Sequence, residues 1–233
     1  MSYLSASVFC FSPLLCAEEQ NQALDLSVED LLNVEVTTVA KKAQSLNDTQ
    51  AAAFIITNED IKRSGVTNIP DALRLAPGMD VARIDASKWA VSSRGFNGRR
   101  ANKLLVMIDG RSAYARTYSG VYWENQDVML EDIDRIEIIR GQGATLWGAN
   151  AVNGVINIIT KHSSKTQGGL VNAGGGNQEQ GFGSFRYGAK LGEDTTARAY
   201  IKGSIRGENT LLSGGPAGDN WDKVQGGFDW TPS

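Results

Sequence analysis

Two rhythms of apolar and polar positions divide the chain, and the simpler one lies in its last third. In TARAYIKGSIR, residues 196–206, one face carries Thr196, Arg198, Tyr200, Lys202, Ser204 and Arg206, and the other Ala197, Ala199, Ile201, Gly203 and Ile205. GSFRYGAKL sets Phe185, Tyr187, Ala189 and Leu191 against Ser184, Arg186, Gly188 and Lys190. KVQGGFDWT sets Val224, Phe228 and Trp230 against Lys223, Gln225, Asp229 and Thr231. With GGLVNAGGG (168–176), this predicts four strands of about the ~10-residue length of membrane β-strands. A soluble antiparallel sheet with one wet face also alternates. Membrane strands fit better because the apolar faces are small and aromatic, charge sits mid-strand on the polar faces, and an export signal precedes them.

The earlier part is less regular. LDLSVEDLLN (24–33) reads as a short amphipathic helix with Ser27 as N-cap, and residues 34–48 as an edge strand or extended linker. AAFIIT (52–57) predicts a strand running into a helix, with Thr57 and Asp60 in the spacing of a capping box and Gly65 as the stop. A second helix has Pro70 in its first turn and ends before Gly78. Period-two segments follow at 79–84, 89–96 and 103–110, the last closing on an Asp-Gly turn. After an aromatic and hydroxyl-rich loop (112–126) and a helical turn near 130–134 come strands at 135–141, 143–148 and 151–161. The prediction is a compact α+β domain with glycine-pinned turns.

Composition narrows the function classes. Lys+Arg 23 against Asp+Glu 26 is not the basic balance of a nucleic-acid binder. Residues 3–17 resemble the apolar core of a secretory signal ending at Ala17, although the positive leader is missing; a lipoprotein signal at Cys16 and a buried N-terminal element are the alternatives. Both cysteines, Cys10 and Cys16, lie there, so a mature chain would have no disulfide or thiolate metal site. RGQGATLWG follows a strand as a phosphate loop would, but Gly141, Gly143 and Gly148 miss the G-x-G-x-x-G spacing and no Gly-Lys-Ser/Thr follows. One histidine, His162, supports neither a zinc site nor a catalytic triad. No enzyme activity and no cofactor is expected.

IDRIEIIRGQGATLWGANAVNGVINIITK, residues 133–161, resembles the signature of the plug domain of TonB-dependent outer-membrane receptors. FIITNEDIKRSG, IPDALRLAPGMDV, and SSRGF followed by VMIDGRS match in order, so the resemblance covers residues ~43–161. The family's usual Arg-Gly-Pro is here Arg140-Gly141-Gln142. Its TonB box, an acidic residue and Thr followed by alternating Val and Ala, is degenerate: Glu35, Val36, Thr37, Thr38, Val39 and Ala40 keep the composition but not the spacing.

The resemblance implies an α+β plug domain, a mixed sheet with short helices, followed by antiparallel transmembrane β-barrel strands. The expected organisation is a signal peptide at 1–17, an N-terminal segment with the box at 18–42, the plug at 43–162 and the start of the barrel at 166–233. A plugged barrel has about 22 strands, whereas only 66 residues follow Gln167, so the barrel is expected to be incomplete and the chain truncated. The implied function is binding of a scarce solute, by default a ferric siderophore or similar metal chelate, and its import to the periplasm by energy transmitted through TonB. A plug-like binding or signalling module without transport is the alternative. The implied partners are TonB, the solute and outer-membrane lipid, with no nucleic acid. Arg94 and Arg140 are the expected latch to barrel carboxylates, with surface arginines beside turns as the alternative. The expected solute contacts are Asp85, Lys88 and Trp89 in one apical loop and Tyr114, Arg116, Tyr118, Tyr122 and Trp123 in another. Those rings could equally pack against the barrel wall. The basic turn NGRRANK (97–103) is expected to face the periplasm as solvated charge.

Overall fold

The computed structural model describes residues 35–36, 44–45, 52–95, 97–99, 103–115, 117, 120–141, 147–148, 150–192 and 195–232. The expected leader at 1–17, the helix at 24–33 and most of 143–148 lie outside them. So do Thr37, Thr38, Val39, Ala40, Arg116 and Tyr118.

β1 (Glu35–Val36) and β2 (Gln44–Ser45) form a small antiparallel pair, Glu35 opposite Ser45. β3 (Ala52–Thr57) then runs directly into α1 (Asn58–Ser64). Thr57 accepts from the Asp60 N–H, Asp60 accepts from the Thr57 N–H, and Gly65 ends the helix at φ 67°. This is the predicted capping box and left-handed stop. α2 (Ile69–Ala72) starts on an Asn68 cap with Pro70 in its first turn. β4 (Met79–Arg83) and β5 (Trp89–Ser93) make a separate hairpin.

The domain's main sheet adds β6 (Leu104–Ile108), β7 (Arg111–Ser112), β8 (Ile133–Arg140) and β9 (Gly154–Thr160) to β3, in the order β3-β8-β9-β6-β7. β6 and β9 are parallel and the other pairings antiparallel, so the sheet is mixed. Asp109 and Gly110, at φ 49° and 75°, make the tight β6–β7 turn. The uninterrupted apolar run of β6 is explained by burial on both faces. Leu104, Val106 and Ile108 join Ile136, Ile138, Ile156 and Ile158 in a large core with Ile61, Ile69 and Leu73. Leu105 and Met107 pack on the other face with Ile139, Ala151 and Val155.

A 3₁₀ turn, Ser163–Thr166, leads to the second sheet: β10 (Gly168–Gly174), β11 (Glu179–Lys190), β12 (Thr195–Arg206) and β13 (Trp221–Pro232), an antiparallel meander in chain order. The last three strands have 12 residues each. All four occur where the alternation predicted them. Arg186, Thr196, Arg198 and Arg206 are buried toward the first domain, while Val171, Phe185, Tyr187, Ile201, Val224, Phe228 and Trp230 are exposed on the far side. This sheet is a wall, polar inward and apolar outward. Gly188 lets β11 pass the junction, because a Cβ there would overlap the Thr166 carbonyl.

Candidate functional site

The candidate site is the seam between the first domain and the wall, together with the loops at one end of it. The seam is built from charge. Asp132 (3% exposed) ends the 3₁₀ turn Leu130–Asp132 and lies between two wall guanidinium groups: Arg186 from β11, and Arg198 from β12 at 3.8 Å. Arg198 also donates to the Lys161 carbonyl (2.7 Å) and Thr160 Oγ1 (3.0 Å), and pairs with Asp229 of β13 at 3.2 Å. Asp127 bridges Lys202 (2.9 Å) and Lys223 (3.4 Å), and its carbonyl accepts from Gln225 Nε2 at 2.7 Å. Lys202 and Lys223 donate further to the Thr67 and Glu124 carbonyls. Asn172 of β10 donates to Glu131.

Burial makes these pairs consequential. Removing one partner from a buried ion pair strands the other in a poorly solvated site. In the ion pairs that cross the seam the acids, Asp127 and Asp132, come from the first domain and the bases from the wall. The alternation had already placed Arg198, Lys202 and Arg206 on one inward face, and buried cations there require acceptors. The acceptors, Asp127 and Asp132, carried no local sequence signal. A cavity of about 410 Å³ lies beside this seam, between α1 and strands β10–β12, with Lys62, Glu131, Asn172 and Ser184 among its lining.

The junction is fastened through hydroxyl groups. Ser163 Oγ is buried within hydrogen-bonding distance of Thr196 Oγ1 and, at 2.8 Å, of Thr231 Oγ1, so the linking turn is tied to β12 and β13.

The loops gather at the end of the wall where β12 passes into its 207–220 connection to β13. In the β4–β5 turn the Asp85 carboxylate accepts from Ser87 N (2.9 Å), Lys88 N (2.8 Å) and the Lys88 ammonium. Burial alone would raise the Asp85 carboxyl, but these bonds outweigh it and hold it below its ordinary value. Arg83 donates to the Asp85 and Ala86 carbonyls and reaches Gln178 Oε1 at 3.1 Å. Tyr122 lies under the Arg99 guanidinium at 5.8 Å, and Arg99 pairs with Glu124 at 3.0 Å.

Of the eight expected solute contacts, the six among the described residues separate. Asp85, Lys88, Tyr114 and Tyr122 are partly exposed. Trp89 (3% exposed) and Trp123 (5%) are buried in the large core, and the Trp89 ring has the Arg83 guanidinium at 5.6 Å and that of Arg206 of the wall at 5.2 Å from its centre. Wall packing, the alternative weighed for those rings, is what Trp89 does. The basic turn also differs from expectation: through Glu124 and Tyr122, Arg99 joins the loop end instead of standing as free charge.

Of the expected latch, Arg94 is exposed at φ 61°, its guanidinium beside Gly141, and Arg140 is half-buried with its guanidinium against Gly78. Neither is paired with a described carboxylate, and Arg140 Nε is buried without a hydrogen-bond acceptor among the described residues. Glu35 and Val36 lie in the β1–β2 pair.

The comparisons with known proteins agree with this architecture. The family model of the TonB-dependent receptor plug domain matches residues 45–155. The vitamin B12 transporter BtuB of Vibrio cholerae serotype O1 is 35% identical over 158 residues, 68% of this chain and 25% of that protein. BtuB of Photobacterium profundum is 32% identical over 162 residues, 70% of this chain and 26% of that protein. The pyoverdine outer membrane receptor FpvA of Pseudomonas aeruginosa superposes with a TM-score of 0.62 at 23% identity, covering 76% of this chain and 25% of that one. The ferric yersiniabactin uptake receptor FyuA of Yersinia pestis superposes with a TM-score of 0.60 at 17% identity, covering 77% and 28%. The two structures show the fold alone, and the chain spans about a quarter of the length of these relatives, which are transporters and receptors and not enzymes. The mixed sheet with its capped helices is a plug, the meander beside it is the barrel-type wall it docks on, and the chain belongs to the family of TonB-dependent receptors.

Proposed function

We propose that the chain is the plug and first wall strands of an outer-membrane receptor that captures a scarce metal chelate and imports it to the periplasm with energy drawn through TonB. One observation carries this reading: a four-stranded wall turns Phe185, Ile201, Phe228 and Trp230 outward and binds a folded stopper inward through buried ion pairs. Lipid cannot satisfy irregular backbone, so a stopper at membrane depth must be enclosed by such a wall. An apolar band with aromatic residues is the face a barrel strand shows to lipid.

Energy input would enter at Glu35–Ala40. An extended segment can add to a partner's sheet edge through main-chain bonds, so a degenerate side-chain pattern can still couple. The β1–β2 pairing supports this role, since Glu35 and Val36 already take a strand conformation. Arg94 and Arg140 are proposed to meet carboxylates of further wall strands; their guanidinium groups, near Gly141 and Gly78, have no carboxylate partner among the described residues, which supports that role. For solute contact we assign Asp85, Lys88, Tyr114, Arg116, Tyr118 and Tyr122, leaving Trp89 and Trp123 to packing.

The test is uptake of a radiolabelled ferric siderophore and of radiolabelled cyanocobalamin by cells that carry or lack the full-length gene, each with and without TonB. Accumulation that requires both is expected for at least one probe. Accumulation that ignores TonB, or a protein that fractionates away from the outer membrane, would overturn the reading in favour of a module without transport.

A further inference from the structure

The wall's longest connection folds back on itself. Across residues 207–220, Thr210 bridges Pro216, Ala217 N donates to Asn209 O at 2.9 Å, and Leu211 N donates to Gly215 O at 2.8 Å. The loop is a small hairpin with a neck, and Asp219 closes that neck. Its Oδ1 accepts from Asn209 N at 2.8 Å, and its Oδ2 from Asn209 Nδ2 at 2.6 Å. The same Oδ2 reaches across to the plug and accepts from Ala86 N at 2.9 Å.

Ala86 is 1% exposed at the β4–β5 turn, so with Asp219 in place its N–H is covered from water and relies on that carboxylate as acceptor. Its carbonyl is taken by Arg83 at 3.1 Å, and Arg83 in turn holds Gln178 of the β10–β11 connection. The turn is thus fixed to two wall connections at once: by a carboxylate accepting its N–H and by a guanidinium donating to its carbonyl. The charge-assisted bonds to Asp219 are of the stronger kind. They are consistent with a carboxyl held below its ordinary value, by the Asn209 N–H first and the Ala86 N–H after the opposing effect of burial.

We propose that Asp219 is a positioning residue of the solute site: through the Ala86 N–H it clasps the plug turn 84–88 to the β12–β13 connection, so that plug and wall present one preformed surface to the incoming metal chelate. The proposal rests on the receptor reading above. Asp219 acts through backbone, so it raises affinity by removing an ordering cost that would otherwise fall on binding. A solute that presses on either surface also acts on the other.

The experiment uses the full-length receptor in outer-membrane vesicles, comparing wild type with Asp219→Ala and Asn209→Ala. In hydrogen exchange, Asp219→Ala is expected to speed exchange of the Ala86 amide by tenfold or more while the β4 and β5 amides stay protected. Asn209→Ala, which spares the Asp219–Ala86 bond, leaves Ala86 slow. Binding is read with cyanocobalamin and ferric enterobactin as probes. For a probe that wild type binds, Asp219→Ala should raise Kd about tenfold, with TonB-dependent uptake at saturating probe unchanged. Unchanged Ala86 exchange, or unchanged Kd, overturns the clasp. Binding of neither probe by wild type would sink the metal-chelate reading and the positioning role with it, while the exchange arm decides the contact on its own.

Discussion

Asp132 has one water-poor place to put its charge, and that place lies between Arg186 and Arg198. Asp132→Asn keeps the size but leaves two buried guanidinium groups under-compensated, so docking of the plug should weaken by about 3–5 kcal/mol. Denaturant-dependent protease cleavage of the plug in the full-length receptor measures it. At the β4–β5 turn the sign of the pH effect follows from Asp85, whose carboxyl is held low, against the opposing effect of burial, by the Lys88 ammonium and the Ser87 and Lys88 N–H groups. Its stabilising contribution is complete above the ordinary carboxylate value and is lost as pH falls through the lowered one, so proteolysis within 84–88 should rise in acid below about pH 4. Single residues were the least legible scale of the sequence. Trp89, at the start of β5, and Trp123 lie next to stretches that suit ligand contact, and only the fold reveals that Arg206, 117 positions downstream of Trp89, closes over that ring. Asp127 and Lys202 are likewise 75 residues apart, beyond any local pattern.

Elements were much more legible, because periodicity and capping are local physics. The Thr57–Asp60 box and Gly65 were readable in advance and bound α1 as expected. Thr57→Ala should therefore cost about 0.5–2 kcal/mol, seen as faster amide exchange confined to the first turn of α1. The wall strands were legible for the same reason: a period of two with opposite chemistry on the two faces permits one register. Replacing an outward residue tests which solvent that face meets. Phe228→Lys, at a position 70% exposed in this structure, should destabilise a lipid-embedded barrel by up to about 2–4 kcal/mol if it lies near the bilayer midplane. The change would appear as a lower temperature for loss of the folded, fast-migrating band on unheated gels; no shift would argue that water bathes this face. The parallel pairing of β6 with β9 was not legible, since buried apolar runs carry no mark of strand direction.

At the scale of the molecule, the ion pairs that join plug and wall share one sense, with Asp127 and Asp132 on the plug and Arg186, Arg198, Lys202 and Lys223 on the wall. Reversal should then be reciprocal. Asp127→Lys alone sets three cations together, and adding Lys202→Asp should recover part of the loss. A double-mutant cycle on plug protection should give a coupling of about 0.5–3 kcal/mol, and strict additivity would show that the two side chains are neighbours only by accident. The short passage from Thr160 to Gly168, tied down at Ser163, has a consequence for what happens after any such bond is broken. A stopper leashed by seven intervening residues stays at an effective concentration on the order of millimolar beside its seat. It can therefore be loosened many times without being lost, and its return is a first-order event set by the leash and not by how many copies the cell makes.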